Sequence, residues 1–216
     1  MSVQYNASTV TNGLVLCLDA ANTKSYAGTG TAWNDLSGNG NNGTLVNSPT
    51  HTPGSSAYFT FNGTNTYVNF AYVQPAQNSS STFSWNIWVY TTINRDGDIL
   101  MGCRNSSLNF TKLTTNNMEY YPTSFGGAMP LNVWQNVCIV KNGTTMSYYR
   151  NGSLISSVTA AGSQISVPFF IGGDPLPGAG VEFSSARIAQ VSVYNTSLTA
   201  DQISQNFNAL KGRYGL

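Results

Sequence analysis

Glycoside cleavage needs an acid and a nucleophile or base flanking one bond, a role met by a cluster of two carboxylates. This chain has two glutamates, Glu119 and Glu182, and neither sits in such a cluster. Asp96 and Asp98 are spaced to share a strand face, but Arg95-Asp96-Gly97-Asp98 reads as a turn. The single histidine, His51, lies in Thr50-His51-Thr52-Pro53 with no triad partner in view and reads as a solvated loop residue. Cys17, Cys103 and Cys138 are an odd number scattered through apolar runs. They read as buried reduced thiols, since no His or second Cys stands at ligand spacing. The expectation is a protein with no catalytic residues.

Binding chemistry is better represented. A flat aromatic ring can lie against the C–H side of a pyranose while amides take its hydroxyls. Alternation from Phe83 to Tyr90 sends Phe83, Trp85, Ile87 and Val89 to one sheet face and Asn86, Trp88 and Tyr90 to the other. If the first set is core, the second lines an outer face and can meet a ligand. The competing reading has Trp88 completing the packing. Tyr120, Tyr121 and Phe125 fall in a Gly/Pro-rich loop, where ligand contact and local packing both remain open.

Composition narrows the partners. Of 216 residues only 8% are charged and the net charge is +1, so no field exists to attract nucleic acid or anionic lipid. Polarity comes instead from Asn, Ser, Thr and 21 Gly, a surface suited to sugars or other proteins. The start, Met1-Ser2-Val3-Gln4-Tyr5-Asn6, lacks the basic and apolar regions of a secretory signal, and no apolar run is long enough to cross a bilayer. A soluble, unexported chain is expected. Asn-x-Ser/Thr triplets such as Asn62-Gly63-Thr64 and Asn142-Gly143-Thr144 then read as turns rather than glycan acceptors.

The elements that must carry these residues are strands. Gly13 to Leu18, Ala57 to Phe61, Tyr67 to Phe70, Thr82 to Tyr90, Val133 to Val140, Thr145 to Tyr149 and Ala186 to Tyr194 are rich in β-branched and aromatic residues. Asn62-Gly63, Asp96-Gly97, Gly126-Gly127, Asn142-Gly143 and Asn151-Gly152 punctuate them as in an antiparallel meander. One helix is expected at about 199–211, with Thr199 and Gln202 as a capping box, Ile203, Phe207 and Leu210 as its apolar stripe, and Gly212 as its stop. One domain over 13–216 follows a lead of residues 1–12.

Five stretches, in order, resemble the laminin-G/concanavalin A-like family. They are Leu14 to Asp19, the loop Trp33-Asn34-Asp35-Leu36-Ser37-Gly38-Asn39-Gly40-Asn41-Asn42-Gly43-Thr44-Leu45, the hairpin Ala57 to Val68, the Trp-bearing strand Thr82 to Val89, and the later hairpin of Asn132 to Val137 and Met146 to Gly152, ending in Tyr149-Arg150-Asn151-Gly152. The resemblance implies an all-β fold, a jelly-roll sandwich of two antiparallel sheets closed by the short C-terminal helix. It equates Trp88 with the family's own Trp. It also implies a structural Ca²⁺, for which Asp19, Asp35, Asn39 and Asn41 are the oxygen ligands to hand, although Ala189-Gln190 stands where the family commonly writes Asp-Glu. The alternative is that these residues merely build a tight loop.

The ending, from Tyr194-Asn195 through Leu198-Thr199-Ala200-Asp201-Gln202-Ile203 to Gly215-Leu216, resembles proteins encoded by tailed bacteriophages. That implies a non-enzymatic virion structural protein, a capsid decoration, fibre or tail component assembled in the host cytoplasm, with host polysaccharide as a ligand. A carbohydrate-binding lectin module of a bacterial surface or secreted protein is the alternative. A homo-oligomer, trimer before dimer, or a multicopy lattice protein is expected, with Tyr5 or the set Phe207, Leu210, Tyr214 and Leu216 buried between chains and other virion proteins as neighbours.

Overall fold

The computed structural model describes residues 8–70, 82–95, 97–106, 109–120, 123–159, 168–175 and 182–216. Tyr5, Asp96 and Tyr121 lie outside the described residues, as do the side chains of Glu119 and Tyr120.

Strict alternation makes the centre of the molecule. In β7 (Phe83–Thr91) the side chains of Phe83, Trp85, Ile87 and Val89 enter the main core, and those of Ser84, Asn86, Trp88 and Tyr90 leave on the opposite face. On one side of β7 lie β12 (Trp134–Asn142), β13 (Thr145–Arg150) and β14 (Ser153–Thr159) in turn. On its other side runs β18 (Ser185–Tyr194), followed by β5 (Tyr58–Asn62) and β4 (Thr50–Thr52). A bulge between Ile188 and Gln190 divides β18, so that Ser185 to Ile188 pair with β5 and Gln190 to Tyr194 pair with β1 (Leu14–Asp19).

The second sheet runs β11 (Thr123–Ser124), β10 (Met118–Tyr120), β9 (Asn109–Thr114), β8 (Ile99–Ser106), β15 (Phe170–Ile171), β6 (Tyr67–Phe70), β3 (Gly43–Val46) and β2 (Ala32–Trp33). A short ribbon of β16 (Gly173–Asp174) and β17 (Glu182–Phe183) stands beside it. Pairing is antiparallel in both sheets, and the faces turned toward each other bury Trp33, Phe59, Phe61, Val68, Trp85, Leu100 and Ile139. This is the expected jelly-roll sandwich.

Two local expectations change. Ala57 to Val68 is not a hairpin within one sheet, because β5 pairs with β4 and β18 while β6 pairs with β3 and β15. The Asn62-Gly63 corner carries the chain from one sheet to the other. Asn62 Oδ1 accepts from the backbone N–H groups of Thr64, Asn65 and Thr66, and Gly63 takes φ +70° there. True two-residue hairpins follow Asn142 and Arg150, the second formed by Asn151 and Gly152 at φ +50° and +79°.

The helix α1 (Ala200–Leu210) has both arms of the capping box, with Thr199 accepting from the Gln202 N–H and Gln202 accepting from the Thr199 N–H. Gly212 does not stop the chain's winding. A 3₁₀ turn continues over Lys211–Tyr214, and Gly215, at φ +75°, ends it. Residues 8–12 make contacts of their own. The Val10 N–H donates to Asn206 of α1, and the Tyr194 hydroxyl donates to the Val10 carbonyl, docking this stretch on the domain.

Candidate ligand-binding surface

The outer face of the first sheet is a ladder of rows set by strand register. One row places Cys17, Ser192, Asn86, Cys138 and Tyr149 side by side, and the next places Asp19, Gln190, Trp88 and Asn136. A further row holds Thr60, Arg187, Tyr90 and Trp134. An open face would have made all of them accessible.

The C-terminal segment covers the first two rows. Tyr214 stacks on Trp88 with ring centroids 4.3 Å apart, and Phe207 lies parallel to Trp88 at 5.8 Å. Trp88 is fully buried and Asn86 is 3% exposed. The ligand roles expected of Asn86 and Trp88 are therefore corrected, because 211–214 and α1 occupy the face they project from. Within the chain, Phe207, Leu210 and Tyr214 pack with Trp88, Ala189, Tyr58 and Trp134, while Phe207 and Leu210 stay partly accessible and Leu216 is exposed. Beneath this cover Asn86 Oδ1, Trp88 Nε1, both amide atoms of Asn136 and Gln190 Oε1 have no protein hydrogen-bond partner. Buried polar groups of this kind are where ordered water is held.

Below the tail the last row stays open, and Tyr90 is its one residue that the strand alternation had pointed out. Tyr58, Tyr90, Trp134 and Arg187 are each half-buried. The Trp134 ring lies 4.8 Å from Tyr214, 5.6 Å from Tyr58 and 5.8 Å from Tyr90, all tilted or edge-on. The Arg187 guanidinium sits 4.6 Å from the Tyr90 ring centre and 5.3 Å from that of Tyr58. Exposed Leu131 and Val133 precede Trp134 in the chain. Rigid aromatic surface beside hydrogen-bond donors is the chemistry that sugar recognition requires. Sequence reading missed Tyr58, Trp134 and Arg187, although the core positions Phe59 and Phe61 place Tyr58 outward by alternation.

The proposed metal loop is organised by hydrogen bonds. Asp35 Oδ1 accepts from the N–H groups of Cys17 and Ser37, at 2.8 Å each, and its Oδ2 accepts from the Ser37 hydroxyl and the Asn41 N–H. Asn39 and Asn41 turn their NH₂ groups, not their oxygens, toward the Leu14 and Val15 carbonyls. Asp19 forms a two-point pair with Arg213, 2.8 Å at each bond. These residues do not fit a Ca²⁺ site, which needs oxygens converging on one point rather than a carboxylate encircled by donors.

A second constellation was not legible in the sequence. Asp98, fully buried, accepts from Arg95 at 2.7 Å and from Thr115; Lys112, also fully buried, reaches Glu182 at 3.1 Å. Asp174 neighbours Glu182 across the ribbon. Burial, with the adjacent Asp174 carboxylate, pushes the Cys103 thiol up. A cleft of about 190 Å³ lined by Gly63, Arg95, Gly97 and Phe183 opens beside this network. Asp98 and Glu182 are each tied to a cation, Arg95 and Lys112 respectively. His51 is not a solvated loop residue: it lies in β4, its Nε2 is 3.0 Å from the Ala20 carbonyl, and its ring packs on Tyr26 and Phe59.

Solved structures share this architecture. Trypanosoma rangeli sialidase in complex with sialic acid matches at TM-score 0.69 and 19% identity, over 93% of this chain and 33% of that one. The binding domain of Paraclostridial Mosquitocidal Protein 1 matches at 0.66 and 17%, over 92% and 52%. The binding domain of Botulinum Neurotoxin DC in complex with SialylT matches at 0.65 and 14%, over 93% and 52%. The chain thus spans about a third of the sialidase and about half of each toxin chain, and at these identities the likeness is one of fold. The comparison with curated proteins found no match. A family model described as the concanavalin A-like lectin/glucanases superfamily matches residues 62–204, and the chain belongs to that superfamily.

Proposed function

We propose that this chain is a non-enzymatic surface protein of a bacteriophage virion, a capsid decoration, fibre or tail component, that binds host polysaccharide through the face formed by Tyr58, Tyr90, Trp134 and Arg187. The observation that carries the binding reading is the half-open aromatic row itself, flanked by Tyr214 against Trp134. Two of the similar structures carry a sialylated or sialic acid ligand in complex, in keeping with a glycan as the ligand class. The virion setting rests on the resemblance of the C-terminal run and on the nearly uncharged composition. Copies assemble as a homo-oligomer, trimer before dimer, or as a lattice. Strand β14 offers a contact edge, since among the described residues it has no second neighbour strand and carries exposed Leu154 and Ile155.

Polysaccharide binding by the purified chain, lost on Trp134→Ala without release of reducing sugar, tests the ligand and the absence of turnover together. Mass spectrometry of purified virions tests the setting. Binding without virion association would favour the lectin module of a bacterial surface or secreted protein, and sustained hydrolysis removed by changing Glu182 would refute the non-enzymatic reading.

A further inference from the structure

Arg187 is the unusual member of the open row. An arginine side chain on a sheet surface ordinarily keeps its rotamer freedom, and ordering it on binding costs affinity. Here Tyr90, directly opposite in the register, and Tyr58, on the far strand, hold the guanidinium between two rings before any ligand arrives. Nor does a carboxylate among the described residues compensate its charge. Arg95, Lys112 and Arg213 are held by Asp98, Glu182 and Asp19, and none of these carboxylates reaches Arg187. In a chain with so few charges, an ordered cation among aromatic rings is a local feature rather than part of a basic field. The Arg95 cleft offers no equivalent, because Asp98 already takes two of that guanidinium's nitrogens.

We propose that Arg187 reads a sugar carboxylate, so that the polysaccharide bound at this face is acidic, built from hexuronate or sialate units. This rests on the glycan-binding reading above and adds the charge class. A planar guanidinium meets a carboxylate through two parallel hydrogen bonds, and the neighbouring rings pack against the sugar's C–H face. Lysine cannot reproduce that fork.

The test uses the full chain and four polymers by calorimetry: polygalacturonate, its fully methyl-esterified form, polysialic acid and neutral dextran. Expected is binding to polygalacturonate or polysialic acid at least about tenfold tighter than to the ester or dextran, the range of a charge-assisted hydrogen bond. Arg187→Lys should lose roughly tenfold, and Arg187→Met should erase the preference with little change in melting temperature. Equal binding of acid and ester, or a preference that survives Arg187→Met, overturns the carboxylate assignment and leaves glycan binding intact. Binding of dextran and ester alone does the same. No binding to any of the four overturns both readings.

Discussion

Arg213 donates from both terminal nitrogens to the two carboxylate oxygens of Asp19, 2.8 Å each, joining positions 194 residues apart. The Arg213 Nε also donates to the Ser55 carbonyl, and the Ser56 hydroxyl donates to the Arg213 carbonyl. This fastening holds the last turn over Trp88, so the aromatic row depends on a residue near the end of the chain. Arg213→Met should cost about 2 kcal/mol, the scale of a charge-assisted pair, and lower the melting temperature by roughly 4–8 °C. Asp19→Asn should cost a similar amount, with the double variant less destabilised than the sum. Additive losses would show that the two side chains act independently.

Asp35 is expected to matter as a hydrogen-bond acceptor and not as a metal ligand. Asp35→Ala should destabilise by about 2–4 kcal/mol, because it strips acceptors from the Cys17, Ser37 and Asn41 N–H groups at once. Calcium or chelator should move the wild-type melting temperature by less than about 1 °C, since only a ligand bound to the folded state shifts it by mass action. A larger calcium shift, lost in Asp35→Ala, would restore the metal.

Trp88 should behave as a core residue despite facing away from the inter-sheet core. Trp88→Ala is expected to cost about 3–5 kcal/mol in urea unfolding, the range for truncating a buried aromatic. A near-neutral change would mean that the C-terminal turn does not seal this face.

Alkaline stability should carry the mark of a buried thiol. Burial pushes the Cys138 thiol above its ordinary 9.0, and the Tyr194 and Tyr214 phenols above their ordinary 10.0. A group with a raised folded pKa contributes stability that is complete below its unfolded value and is lost progressively as pH climbs toward the folded one. Each falls by up to about 1.4 kcal/mol per pH unit. Lys141, pushed down by burial, works in the opposite sense, so the measurement is a difference. Between pH 9 and 10 the unfolding free energy of wild type should decline more steeply than that of Cys138→Ala. Parallel slopes would show the thiol already accessible to solvent.

Much of the sandwich could be read from alternation, because Phe83 to Tyr90 and Val133 to Val140 follow a two-residue period, which Ala186 to Tyr194 keep on either side of the bulge between Ile188 and Gln190, and these form its central strands. Strands β8 and β14 were missed: Gly102, Arg104, Asn105 and Ser106 in one and three serines in the other have low strand propensity, and ladder pairing decides their conformation. Period assigned Trp88 to the correct face but could not say what covers it. That depends on a stack with a residue 126 positions later (88 to 214), information no local pattern contains. Arg187 was hidden for the same reason, since its clamp joins three strands distant in sequence.

Strand β18 lies between β7 on one side and β5 and β1 on the other, yet it is the last strand of the chain. During synthesis from the N-terminus the first sheet therefore lacks its central member until residue 194 has left the ribosome, and β1 has no other partner strand among the described residues. Hydrophobic edges that the finished protein hides are exposed throughout that interval, and the contacts that close them span most of the chain. Such a topology makes folding slow, with premature pairing between copies as its main hazard.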